Sequence, residues 1–210
     1  MPNGTDVNGR GPGITVTGSG RAADVPDVLV LAVGAEASDD RAADATGRAG
    51  AALERIRAAA LAQGVAADQL TTQNVVLRQG YDREGQPRGL VCELGLAIRS
   101  GDVARAGELV AACLEAGGDE ARLQSVSFEH SDPTALLVSA RDSAFADAQA
   151  RASQLAALAG RDLGPVQRII EGEPAWVPLG RGKVAALASM PLDAGTSDVA
   201  VTVTVTWLWG

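Results

Sequence analysis

The run His130-Ser131-Asp132 sets the chain's single histidine beside a hydroxyl and a carboxylate, the three groups that nucleophilic acyl chemistry combines. His130 could in principle serve as a general base. Adjacency along the chain is not a catalytic pair, however, and the residues that follow His130 read as a strand-to-helix junction. A lone histidine also cannot build a histidine-based metal site, and no helix pairs it with carboxylates at ligand spacing. A second candidate is Gly18-Ser19-Gly20-Arg21-Ala22-Ala23, a Gly-x-Gly-x-x-Ala run behind a short strand. In a dinucleotide site such a turn must open a helix whose N-terminus holds the pyrophosphate. Here Asp24, Pro26 and Asp27 intervene and the next segment is a strand, so the run reads as a tight hairpin turn.

Carboxylates such as Asp39, Asp40, Asp44, Glu54, Asp142 and Asp147 fall mostly on the polar faces of helices. Cys92 and Cys113, the only cysteines, sit among apolar residues and read as small buried hydrophobes, with a disulfide between them left open. No phosphate-loop lysine, Cys-x-x-Cys pair or Gly-x-Ser-x-Gly elbow occurs, so no catalytic residue, cofactor or metal site is assigned. The remaining candidates are interaction residues. Trp176, Arg181, Lys183 and Met190 lie in a Pro- and Gly-rich connection, and Trp207 and Trp209 end the last strand. Tryptophan and arginine are common interface anchors.

The elements that must position these groups follow from periodicity. Residues 14–18 and 27–38 are β-like, the second apolar on both faces. Residues 39–63 take helical spacing through Ala42, Ala45, Ala49, Ala52, Ile56 and Ala60, stopped by Gly64. Strands at 71–81 and 89–99 flank a hairpin at 82–87. Asp102 can cap a helix with the stripe Val103, Ala106, Leu109, Val110, Cys113 and Leu114, and a strand at 123–129 follows Gly117-Gly118. Asp132-Pro133 suits the start of a long helix reaching Ala159, striped by Leu137, Ala140, Ala144, Ala148, Leu155 and Leu158. Residues 164–171 form a strand, 173–196 a long irregular loop, and 198–209 a strand whose valines and Trp207 alternate with threonines. The order β-β-α-β-β-α-β-α-β-β implies an α+β fold of mainly antiparallel sheet with helices on one face, and its recurring strand-helix-strand units allow two similar lobes. Residues 1–13, rich in Gly, Asn and Pro, read as a disordered arm before one domain at 14–210.

Composition narrows the partners. A net charge of −8 and a pI near 4.7 argue against nucleic acid and anionic membranes. No apolar run approaches the roughly 18 residues of a membrane span. The opening residues carry no secretory h-region, which places the chain in the cytoplasm as it stands, or in the periplasm if an export signal was removed.

Four segments in order resemble the SIMPL domain of periplasmic immunogenic and oxidative-stress-related bacterial proteins. They are ITVTGSGRAADVPDVLVLAVGAEAS, LTTQNVVLRQGYD, SFEHSDPTALLVSARDSAFADAQARASQLAALAG and DVAVTVTVTWLW. The resemblance spans residues 14–208. It implies an α+β fold, no established enzymatic activity, members that form ring- or channel-like assemblies, and links to envelope or stress phenotypes. The expectation is therefore a non-enzymatic scaffold or binding domain that forms a homo-oligomer. The alternatives are a small-molecule binder between sheet and alanine-rich helices, or a hydrolase using His130.

Overall fold

The computed structural model describes residues 13–178 and 192–210. The expected arm at 1–13 lies outside these but for Gly13, as do Arg181, Lys183 and Met190. Within the described residues the elements are β1 (Gly13–Asp24), β2 (Val28–Asp39), α1 (Ala42–Ala62), β3 (Leu70–Tyr81), β4 (Pro87–Ser100), α2 (Ala106–Gly117), β5 (Ala121–Glu129), α3 (Thr134–Leu158), β6 (Leu163–Glu171), β7 (Ala175–Pro178) and β8 (Ser197–Trp209). The fold is α+β, with two antiparallel sheets. Strand β7 is an addition to the expected order: the segment read as irregular holds a short strand paired with the start of β8.

Among the described residues the chain divides into two compact units, an inner one of residues 26–131 and 192–194 and an outer one of residues 13–25, 132–178 and 195–210. The inner unit has the sheet order β3-β4-β2-β5. Leu29, Leu31, Val33, Leu96 and Ile98 on one face of that sheet pack with Ile56 of α1 and with Leu109, Val110 and Cys113 of α2. The opposite face of β2, with Val28, Val30 and Ala32, is half-buried. The expected α1 stripe is buried from Ala45 to Ala60, and only Ala42 at the first turn is half-exposed. Arg48 and Arg55 lie off the stripe, and Arg55 donates to the carbonyls of Ala116 and Gly117 at the end of α2. Asp102 does not cap α2. A 3-10 turn at Val103–Arg105 intervenes, and the helix starts at Ala106. The helix ends were legible: Gly64, Gly118 and Gly160 follow α1, α2 and α3 with φ of 89°, 66° and 65°, a region that favours glycine.

In the outer unit β8 is the central strand, paired with β1 on one side and with β6 and β7 on the other. Val199, Val201, Val203, Val205 and Trp207 form its buried face, as the alternation with threonine predicts. Its other face bonds across to β1 through the hydroxyl pairs Thr15–Thr206 and Thr17–Thr204, each at 2.9 Å. Helix α3 covers the buried face with Ala140, Ala144, Ala148, Ala152 and Ala156. The expected stripe is corrected here. Leu155 and Leu158 are 47% and 78% exposed, and the core at that end of the helix uses Ala152 and Ala156.

The reason lies in β1, which runs straight through Gly18 and Gly20 rather than turning there. A Cβ on Gly18 would lie 2.3 Å from the Ala144 carbonyl oxygen, and one on Gly20 would lie 2.1 Å from that of Ala140. The two glycines let the helix backbone rest on the strand, and that spacing admits only alanine from α3.

The two units share one connectivity. In the inner unit β2-α1-β3-β4 gives the sheet order β2-β4-β3, and in the outer unit β1, α3, β6 and β8 give β1-β8-β6. Each is a strand, a helix and two further strands, with the last strand in the middle. In the outer unit all the strands and helices of the inner unit are inserted between the first strand and its helix.

Candidate functional site

The ends of the inner unit meet where His130-Ser131-Asp132 lies. Asp27, just before β2, donates its backbone N–H to the Glu129 carbonyl at 3.1 Å. Its carboxylate accepts the Ser131 backbone N–H at 2.7 Å, and its second oxygen accepts the Ser131 hydroxyl. The hydroxyl bond, then the backbone bond, holds the Asp27 carboxyl below its ordinary 3.8, with a small contribution from His130. Ser131 thus directs its proton to Asp27, a bridge that ties two passes of chain together. His130, on the segment that follows β5 in the chain, is half-buried. Asp132 accepts the Thr134 N–H at 2.9 Å, satisfying one free donor where α3 begins, and its carboxyl is lowered through Thr134.

The other chemical candidates resolve into structure. The Gly-x-Gly run is the contact between β1 and α3. Cys92 and Cys113 are both free and buried in separate apolar clusters, Cys92 with Ala45 and Ala49 and Cys113, on α2, with Ile56 and the sheet residues of the inner core. Burial raises both thiols, Cys113 to about 11. Among the carboxylates, Asp39 and Asp44 lie in surface ion pairs with Arg48 and Arg41. Glu120 accepts from Arg48 at 2.8 Å and is lowered by it. Asp147 accepts the Ser19 backbone N–H at 2.9 Å and pairs with Arg151, which donates to the Thr17 carbonyl. Among the described residues no polar or charged side chain is buried, and no three metal-capable side chains cluster.

Of the interaction candidates, Trp176 lies on β7 and is 46% exposed. Trp209 is half-buried, with the Arg161 guanidinium 5.5 Å from its ring centre. Trp207 is corrected: at 3% exposure, with Phe145 6.2 Å away, it is a core residue and presents no surface.

Periodicity did not reveal the strand edges. The middle of the β1 edge is engaged, because Asp147 and Arg151 of α3 take up the Ser19 N–H and the Thr17 carbonyl. Strand β3 is an edge strand exposed along nearly its whole length, with Val75 at 73%, Val76 at 41% and Leu77 at 49%. Val75 and Leu77 lie opposite Leu94 and Cys92, on the helix side of the sheet. They are open to solvent nonetheless. Strand β6, which holds the same place in the outer unit, exposes Val166, Ile169 and Ile170. Its only signal in the sequence was an apolar strand with no helix assigned to cover it.

Comparison with known proteins finds that residues 14–207 match the model of the family SIMPL, described as a protein of unknown function (DUF541). No curated protein matches the chain.

Proposed function

The chain belongs to the SIMPL family, and from that premise we propose that it is a non-enzymatic scaffold or binding protein that works by self-association, with the stress- or envelope-related role its relatives suggest. The observation that carries this reading is the pair of equivalent edge strands, β3 and β6, that leave apolar side chains in solvent. An unpaired edge offers a row of backbone donors and acceptors, and apolar side chains beside it add a driving force for a further strand. Trp176, exposed on β7, is an additional anchor. The non-catalytic part of the reading rests on Asp27, whose carboxylate engages the Ser131 hydroxyl that a hydrolase using His130 would have to turn toward the imidazole.

Light scattering coupled to size exclusion, at two protein concentrations, tests the proposal. The expected result is a mass that is a multiple of 21.3 kDa and persists on dilution. A mass of 21.3 kDa at both concentrations sinks obligate self-association.

A further inference from the structure

We infer that the assembly is made by β3 pairing antiparallel with β3 of a second copy, centred on Val76; this rests on the self-association reading above. Register irregularities at Thr72/Val75 and Gln79/Tyr81 bound the regular stretch of β3, which holds the exposed apolar run Val75, Val76 and Leu77. Within that stretch the sequence is self-complementary about Val76. A two-fold axis there sets Val76 against Val76 of the second copy, and Val75 against Leu77 in both directions. Centring on Leu77 instead would set Val75 against Gln79. The Val76-centred register also sets Arg78 against Asn74, so no like charges oppose each other. Arg78 is the one charged residue of β3, and it is drawn onto Glu36 of β2 at 3.3 Å.

The other edges lack this combination. The β1 edge has its middle, at Thr17 and Ser19, taken up by side chains of α3. Strand β6 carries Pro165, Arg168 and Glu171, and β5 carries Arg122 and Glu129, residue types that discourage edge pairing. Among the described residues no side chain hydrogen-bonds to the backbone of residues 75–78. The pairing joins two four-stranded sheets into one and covers Val75 and Leu77 on the helix side.

Val76→Lys tests this cleanly. In a single copy position 76 faces Glu93 across the β3–β4 pair, so a lysine there gains a cross-strand partner and the subunit keeps its fold. Between copies the same change sets two lysines directly opposite. The expected result is that the wild-type mass exceeds 21.3 kDa and falls by at least half in Val76→Lys. Circular dichroism should show the two proteins alike. A second arm does not depend on that variant. Val76→Cys, treated with a short bismaleimide, should give a covalent dimer, because Cys92 and Cys113 are buried and silent. Val138→Cys, exposed on α3, should not. An oligomeric wild type whose mass survives Val76→Lys, or equal cross-linking at 76 and 138, overturns the β3 interface and leaves self-association standing. A monomeric wild type overturns both.

Discussion

Asp27 and Ser131 are separated by 104 residues, yet one carboxylate holds both the backbone N–H and the hydroxyl of the serine. These bonds favour the charged carboxylate, so its folded pKa lies below the ordinary 3.8. The clamp therefore contributes its full stability above that value and loses it as pH falls through the folded pKa. Urea midpoints measured from neutral pH down to pH 3 should fall less steeply below about pH 4 for Asp27→Asn than for the wild type. Equal slopes would show that the clamp contributes nothing. The cysteines supply a second prediction at this scale. With Cys113 raised to about 11 and both thiols buried, Ellman's reagent should label neither in the native protein at pH 8 and both in denaturant. Rapid native labelling would place at least one of them at the surface. Residue types alone disclosed the Asp132-Pro133 helix start, because its chemistry is local. They could not disclose Asp27, whose partner is far away in sequence.

Strands and helices were legible wherever one face is buried against a neighbour. The valine–threonine alternation of β8 and the α1 stripe fixed their burial without a structure. The α3 stripe misled because leucine outweighs alanine in hydrophobic content, while the contact with β1 selects by size. Gly20→Ala should accordingly destabilise the protein by about 2 kcal/mol or more, since its Cβ would meet the α3 backbone. Gly47→Ala should have the opposite sign. Gly47 lies on the exposed face of α1 with nothing within 4 Å of its would-be Cβ, and helix propensity favours alanine there by about 0.5–1 kcal/mol. Thermal or urea unfolding of both variants checks the pair, and a loss of stability in both would show that close contact is not what distinguishes the two sites. The edge strands were the least legible elements. Whether an apolar strand is central or at an edge depends on sheet order, and local pattern does not encode sheet order.

At the scale of the whole molecule, the α+β class was readable from hairpins mixed with helices, and the family from four segments in order, which the family match over residues 14–207 bears out. The division into two units with shared connectivity was visible only as recurring strand-helix-strand units, because an insertion had split one of them. That split has a consequence for how the chain is made. Strand β1 pairs with β8 from Gly13↔Leu208 to Asp24↔Ser197, so β1 cannot be satisfied until β8, more than 170 residues later, has left the ribosome. The strands and helices of the inner unit meet no such delay. They and the Asp27–Ser131 clamp are all in place once residue 131 has emerged. Synthesis therefore favours a vectorial order in which the insert folds first and brings its two ends together. The waiting β1 is held near the start of α3 when that helix appears, and a closure that would otherwise span nearly the whole chain is shortened to the length of the outer unit's own segments.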